Sequence, residues 1–418
     1  MAAERVTASG GSEVRAAAEL AARTSYGRLL SIIAAPTGDI PAAEDALQAA
    51  FEQALRSWPD AGVPEHPDAW LLTVARNRQR DAWKAASARD VELSEALIDR
   101  APPVDPLQGI DPDAIGDKRL ELLFVCAHPA IDPKVRAPLM LQTVLGFEAA
   151  QVARAFATSP SAMAQRLVRA KRRIAQARVP FAVPGRAQMA ERVGAVLEAV
   201  YGCAAITWRE SAADGLAGEA RYLARTLAGA LEQTGAPAAA VREAWALAAL
   251  VSFSLARRAD DFVPLGEQDP ADWDPALIAE AEGALRHAQR IAGAEAPGRF
   301  ELEAAIQAVH VAPRHGADLD DDALRMLYLA LLHVAPTAGA RVAHAAVVGR
   351  LDGPDAGLAL LSGEPEVFQP LWAVRAELFV RSGRPAEAAM AYERAAALAD
   401  DPSVRAHLLV RAAALRAQ

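Results

Sequence analysis

The sequence predicts an all-α protein that is built from several helical domains. Ala, Leu, Arg and Glu dominate its periodic stretches, apolar residues recur at intervals of three and four, and β-branched runs are short. At 418 residues the chain is too long for one hydrophobic core, so about two to four domains are expected. Hydrophobic residues make up 52% of the chain, which is enough to bury such cores.

The chain carries no obvious membrane or export signal. The apolar run Ala244–Ala256 is shorter than the roughly 20 residues that a bilayer requires. The N-terminus has charges where a signal peptide needs an apolar stretch. We therefore expect a cytoplasmic protein with no membrane partner.

Cys126 and Cys203 are the only cysteines, too few for a disulfide framework or a zinc site built on cysteine pairs. Cys126 and His128 could supply two metal ligands, but no second pair lies nearby. We therefore favour two buried thiols, and we expect no metal and no cofactor.

The first helical domain is predicted at residues 12–88. Three amphipathic segments, which begin near Tyr26, Ile40 and Pro67, are long enough to form a small helical unit. Residues 89–117 follow as a linker, because the stretch Asp90–Asp117 carries eight acids, one arginine and four prolines. The linker is either a solvated spacer or a functional segment.

A basic helix is predicted from Ser159 to Ile174, with five basic residues in sixteen positions of a chain whose net charge is −9. Ser159 is a good N-cap and Pro160 suits the first helical position. Four apolar residues share one face and are expected to be buried: Met163, Leu167, Ala170 and Ile174. The residues predicted to point outward are Ser161, Ala162, Gln165, Arg166, Arg169, Arg172 and Arg173.

The segment Gly146–Ser159 predicts a shorter helix before this one, with Val152, Ala153 and Phe156 on its apolar face. Two such helices joined by a tight turn make a helix-turn-helix, whose second helix enters the major groove of DNA. Between Ala149 and Ala190 there are eight Lys or Arg and no acid. This charge pattern favours DNA binding over a merely solvated basic face, and it defines a predicted domain at residues 118–182.

Residues 183–418 are predicted to form an Ala-rich helical extension after the prolines of Val179–Arg186. The stretches Arg350–Leu361 and Arg381–Tyr392 align at an offset of 31 residues, which predicts helical-hairpin repeats. The copy Trp372–Pro402 spaces its small and large residues much as a tetratricopeptide repeat does. Such repeats usually bind partners.

These segments together resemble a known family, the extracytoplasmic-function bacterial sigma factors. Ala42–Lys84 is similar to their region 2, and Arg119–Ile174 is similar to their region 4. The motifs "CAHPAI", "MAQRLVRAKRRI" and "VPFAVP" resemble the subgroup that carries a tetratricopeptide-like C-terminal extension. Tyr201–Trp208 departs from that subgroup's pattern.

The resemblance implies core RNA polymerase and promoter DNA as partners, and it implies site residues. The polymerase-binding positions are Glu44, Asp45, Gln48 and Phe51. An acidic patch followed by an aromatic residue suits a basic helical partner, although a solvated helix face would look alike. The positions for the −10 promoter element are Arg76, Asn77 and Arg80, which we expect to share an outward face.

The same resemblance implies that the helix from Ser159 reads the −35 element. Gln165 suits adenine, and Arg166 or Arg169 suits guanine. In the family the linker passes through the RNA exit path of the polymerase, and its acids could also shield the basic helix. The extension is expected to regulate activity by binding a small regulatory protein or ligand.

Two other classes of function remain to be weighed. A DNA-binding regulator that works without polymerase would explain the helix-turn-helix and the repeats, but would leave Ala42–Lys84 without a role. An enzyme is disfavoured, because the chain lacks GxxxxGK[ST], GxSxG, HExxH and a GxGxxG that opens a βαβ unit. We expect His310 and His315 to be capping or surface residues.

Overall fold

The computed structural model describes residues 2–92, 116–156, 158–207, 216–257, 262–291, 293, 296–316 and 318–417. In these ranges the chain forms α-helices and short 3₁₀-helices and no strand, which confirms the all-α prediction. The chain divides into two compact units, residues 1–240 and 241–418.

The first unit contains nine α-helices in its described residues. They are α1 (Ala2–Ala34), α2 (Ile40–Ala61), α3 (Pro67–Glu92), α4 (Gly116–Cys126), α5 (Pro133–Thr143), α6 (Ala149–Ala155), α7 (Pro160–Ala177), α8 (Arg186–Thr207) and α9 (Leu216–Gln233).

The second unit begins at α10, and its described residues also form only helices and their connections. Its α-helices are α10 (Ala238–Ala256), α11 (Pro275–Arg290), α12 (Arg299–Val311), α13 (Asp321–Val334), α14 (Ala338–Leu351), α15 (Pro354–Leu360), α16 (Gln369–Arg381), α17 (Pro385–Leu398) and α18 (Pro402–Arg416). Among its described residues, three 3₁₀-helices lie at Leu265–Glu267, Pro270–Asp272 and Ala312–His315.

Helices α1 to α3 pack around a core that includes Leu30, Ile33 and Leu47, all fully buried. The next helices pack directly against this group. One close approach is at Gly27 of α1, where a Cβ atom would lie 1.7 Å from the carbonyl oxygen of Val144, the residue after α5. Only glycine allows the two backbones to come so near.

Helices α8 and α9 also belong to the first unit, although they follow the predicted boundary at residue 182. Gly202 of α8 faces the Leu141 side chain of α5. Arg119 of α4 forms an ion pair with Glu219 of α9, and its guanidinium lies 5.2 Å from the centre of the Tyr222 ring. The predicted linker falls almost wholly on residues 93–115, which lie outside the described residues.

In the second unit, successive helices from α11 to α18 pack as neighbours along the chain. Pro354 and Pro385, which are 31 residues apart, each stand in the first turn of a helix, α15 and α17. Gly357 of α15 lies against Gly349 of α14, where an added Cβ would come within 2.9 Å of the Gly349 Cα. Small residues therefore let this helix pair approach closely.

Among the described residues, α10 is one helix long and apolar enough to cross a membrane. Its apolar side chains, such as Leu247 and Phe253, are buried inside the protein. It also carries Arg242, whose guanidinium lies 2.5 Å from the Glu301 carboxylate. These contacts are those of a core helix, so the length and apolar composition of α10 are weak evidence for a membrane span.

Candidate nucleic-acid interface

Helix α7 begins as the sequence predicts. Ser159 is its N-cap, the Ser159 hydroxyl accepts a hydrogen bond from the Ala162 backbone N–H at 3.3 Å, and Pro160 stands in the first turn. The predicted apolar stripe is confirmed, because Met163, Leu167, Ala170 and Ile174 are all buried. This stripe fixes which face of α7 points to solvent.

The outward face of α7 carries nearly all of the predicted DNA-binding residues. Six of them are exposed: Ser161, Gln165, Arg166, Arg169, Arg172 and Arg173. Ala162 is half-buried instead, in the first turn of α7, where its backbone N–H donates to the Ser159 hydroxyl. The Arg169 Nε–H donates to the Gln165 carbonyl oxygen at 3.3 Å. This face carries four guanidinium groups that a phosphate or a base edge can reach.

Helix α6 precedes it with a reciprocal cap, in which the Glu148 N–H donates to the Gln151 side chain at 2.9 Å. Val152 and Ala153 are buried, as the sequence predicts. Phe156 does not join them, because its side chain is 43% exposed. The helix ends at Ala155, and Phe156 therefore belongs to the turn before α7.

An open groove of about 530 Å³ runs between the start of α5 and α7. Among the described residues, its charged lining consists of Lys134, Arg166, Arg169 and Arg173 together with one acid, Asp132. The Asp132 carboxylate caps α5 by accepting from the Lys134 backbone N–H at 2.9 Å. Lys134 was not among the predicted DNA-binding residues, although Pro133 marks the start of α5 in the sequence and so places Lys134 in the first turn of a helix.

Lys171 is the basic residue of α7 that does not face solvent. Its side chain is 8% exposed, and its ammonium lies 2.5 Å from the Glu44 carboxylate of α2. Glu44 is itself 23% exposed. The contact joins residues that are 127 positions apart and ties α7 to the helix that carries the predicted polymerase-binding patch.

The other members of that patch are differently placed. Asp45 and Gln48 are exposed and Phe51 is half-buried on α2. Tyr26 of α1 lies near the two acids. Burial, and then the charges of Glu44 and Asp45, raise the pKa of its phenol. The structure thus leaves Asp45 and Gln48 accessible, while the Glu44 carboxylate is paired with the Lys171 ammonium.

The three residues predicted for the −10 element lie on α3. Asn77 and Arg80 are exposed, with the Arg80 Nη1–H donating to the Asn77 side-chain oxygen at 3.4 Å. Arg76 is half-buried, so only Asn77 and Arg80 face outward as expected. The physical reason is that Arg76 lies four positions after Leu72 and three before Gln79, which are both buried, so it borders the buried face of α3.

The start of α3, before these three residues, is held by packing and by hydrogen bonds to α1 and α2. Trp58 is buried and meets the Trp70 ring edge to face, with ring centres 5.5 Å apart. Leu71 is fully buried. Asp68 accepts a hydrogen bond from the Ser25 hydroxyl at 2.7 Å and pairs with Arg28 at 2.5 Å. These contacts fix the start of α3 on α1 and α2.

Cys126 and Cys203 are both buried free thiols, as the sequence predicts. Burial raises the pKa of the Cys126 thiol to about 12, and its sulfur lies 3.5 Å from the Thr143 hydroxyl. His128 is half-buried, and its Nδ1 accepts from the Ala130 backbone N–H at 3.1 Å. These groups have structural partners, and the described residues contain no cluster of three or more metal-ligating side chains.

Comparison with known proteins gives four findings. Residues 22–89 match the sigma-70 region 2 family, and residues 192–289 match a family of unknown function (DUF6596). An uncharacterised protein of Rhizobium meliloti (strain 1021) is 33% identical over 389 residues, which cover 88% of each chain. No solved structure matches the chain.

Proposed function

Since the chain belongs to the family of the Rhizobium meliloti protein and has a sigma-70 region 2 domain at residues 22–89, we propose that it is a sigma factor of the extracytoplasmic-function type. A sigma-70 region 2 domain implies core RNA polymerase and promoter DNA as partners, and its family consists of transcription factors that are not enzymes. The observation that carries the proposal is this match, followed along the chain by the exposed, acid-free basic face of α7.

Each part of the first unit has a role in this proposal. The acidic patch of α2 binds the polymerase through Glu44, Asp45, Gln48 and Phe51. Helix α3 contacts the −10 element, where Asn77 and Arg80 are exposed. Helices α6 and α7 act as a helix-turn-helix on the −35 element, and Lys134 adds a phosphate contact from the groove beside α7.

The proposed function requires the first unit to open. The −10 and −35 elements are about 25 base pairs apart, or roughly 85 Å along B-DNA. In the structure, α2 and α7 touch through the 2.5 Å contact between Glu44 and Lys171. One compact unit cannot reach both elements, so this contact has to break when the polymerase and promoter bind.

The extension is proposed to be a tetratricopeptide-like domain that shifts the population between closed and open forms when a partner or ligand binds it. A truncation that tests this role should stop after residue 237 rather than at residue 182, because α8 and α9 pack in the first unit. Full and unregulated transcription by residues 1–237 would contradict a regulatory extension.

In vitro transcription on genomic fragments is the direct test. With purified core polymerase, we expect new 5′ ends that depend on this protein and share a two-part upstream motif. If the protein shifts duplex DNA but produces no start sites, and does not bind core polymerase, the polymerase-independent regulator is the better description.

Substitutions on α7 test the DNA-reading face. We expect Arg166→Ala and Arg169→Ala each to weaken promoter binding by about 1 to 3 kcal/mol, because each removes a bidentate donor or a phosphate contact. Binding is measured by fluorescence anisotropy at several salt concentrations. Arg290→Ala removes the same charge from an exposed site on α11 of the second unit and should have no effect. An equal loss in this control would contradict a specific role for α7.

A further inference from the structure

Val168 is a large apolar side chain that α7 leaves exposed. Every residue of α7 is described, and Val168, at 47% exposure, is its one exposed large hydrophobic residue. Its neighbours on the helix surface, three positions before and four positions after it, are the exposed residues Gln165 and Arg172. Val168 lies outside the buried stripe of α7, so its side chain is available for a contact with another molecule.

The exposed surface of α7 has two parts. One part lines the groove beside α5 and carries three arginines, which are Arg166, Arg169 and Arg173. The other part is an outer row of exposed residues, spaced by three or four positions and lying opposite the buried stripe. It consists of Ser161, Gln165, Val168 and Arg172. When a helix enters the major groove, its outermost row lies nearest the base edges, whereas basic side chains on its flank meet the phosphates.

The chemistry of the outer row matches two groups that DNA presents in the major groove. A valine suits the 5-methyl group of thymine, which is the apolar group there. Because valine is branched at Cβ, one side-chain rotamer dominates in a helix, and the position of its methyl groups is well defined. The glutamine one turn earlier suits bidentate pairing with adenine.

The spacing of these two side chains also fits stacked base pairs. The rise from Gln165 to Val168 is about 4.5 Å along the helix axis. Successive base pairs of B-DNA are about 3.4 Å apart. The two side chains therefore reach neighbouring base pairs when α7 lies along the groove.

We propose that Val168 is a specificity-determining residue, which contacts the 5-methyl group of a thymine next to an adenine that Gln165 contacts. This proposal rests on the DNA-binding part of the proposed function and does not require polymerase. The arginines on the α5 side of α7 supply affinity through phosphates, and the outer row selects the bases.

The test uses the full-length protein, alone and with core polymerase. Selection from random duplexes first defines the preferred DNA element. Each thymine of that element, on either strand, is then replaced by deoxyuridine, which lacks the 5-methyl group and keeps the hydrogen-bonding groups. At one thymine next to the preferred adenine, we expect binding to weaken about fourfold, which corresponds to about 0.8 kcal/mol for one buried methyl-sized group.

Variants locate the methyl contact. Val168→Ala, which keeps a good helix former at this exposed position, should bind the thymine duplex about three- to fivefold more weakly. It should bind the thymine and deoxyuridine duplexes equally. Gln165→Ala should relax the choice of the neighbouring adenine and keep the deoxyuridine effect. Val380→Ala makes the same substitution at a 38% exposed site on α16 and should bind as the wild type does.

The outcomes separate this proposal from the proposed function. A deoxyuridine effect that is present in the wild type and absent in Val168→Ala supports the proposal. Selective binding to an element without such a thymine, or an equal deoxyuridine effect in both proteins, overturns it and leaves the proposed function intact. If selection yields no preferred element with or without polymerase, the DNA-reading role of α7 fails together with this proposal.

Discussion

Replacing Gly27 with alanine is expected to destabilise the first unit by about 3 kcal/mol or more, at the upper end of the cost of overpacking. The added Cβ would lie 1.7 Å from the Val144 carbonyl oxygen and 2.6 Å from its carbon. Both are backbone atoms, which cannot turn aside as the end of a flexible side chain can. The helices α1 and α5 would have to separate. Urea unfolding, followed by circular dichroism, measures the change in the free energy of unfolding.

Gly194→Ala is the matched control for this experiment. Gly194 lies in α8, it is exposed, and nothing would come within 4 Å of its added Cβ. Alanine there should stabilise the protein by about 0.4 to 1 kcal/mol, because it restricts the unfolded chain and favours the helix. If the two alanine variants have the same stability, the close approach of α1 to Val144 is not a feature of the protein in solution.

Lys171→Met is expected to raise the affinity for core RNA polymerase about 5- to 30-fold, which corresponds to the roughly 1 to 2 kcal/mol expected for a partly buried, charge-assisted contact. Removing the ammonium frees the Glu44 carboxylate and weakens the hold of α7 on α2. The apparent affinity of a protein rises with the fraction that is already in its competent form. Anisotropy of the labelled chain measures binding, and energy transfer between dyes on α2 and α7 measures opening.

The charge swap Glu44→Lys with Lys171→Glu separates the two effects. The reversed pair should keep α2 and α7 together, so energy transfer should stay near the wild-type value. Polymerase binding should fall below that of the wild type, because the patch on α2 has lost an acid. Asp45→Ala is the second control. Asp45 is exposed on the same helix, and its loss should weaken polymerase binding without opening the unit.

Two results would contradict this account. If Lys171→Met opens the unit but leaves polymerase affinity unchanged, Glu44 is not part of the polymerase contact. If energy transfer is unchanged in Lys171→Met, the pair does not hold the two helices together. The first result would not contradict the proposed function, which the transcription experiment tests separately.

Under the proposed function, opening of the first unit also bears on how DNA is read. The arginines of α7 are exposed while Lys171 contacts Glu44, so the closed form leaves the proposed DNA-binding face accessible. Closure would therefore restrain the polymerase-binding side more than the DNA-binding side. A closed protein should still bind duplex DNA, and the salt dependence of that binding reports the phosphates it contacts.

Much of the first unit followed from local sequence. The cap at Ser159 and the buried stripe of α7 were predictable, because capping and helical periodicity depend on residues within one or two turns. The burial of both cysteines and the all-α fold were predictable for similar reasons. Local composition already favours buried cysteines and helices, and the structure confirms both predictions.

The tertiary structure decided which contacts individual charged and small residues make. Lys171 looks in sequence like its basic neighbours on α7, yet it is buried on Glu44, because α2 packs beside that face. Arg76 was expected to point outward with Asn77 and is half-buried instead. His310 was expected to cap or face solvent, yet it is half-buried, and this burial lowers the pKa of its imidazole to about 4. Sequence by itself determined the helices and their apolar faces, since those depend on local spacing. Which charges meet depends on how distant helices pack, and only the tertiary structure decides that.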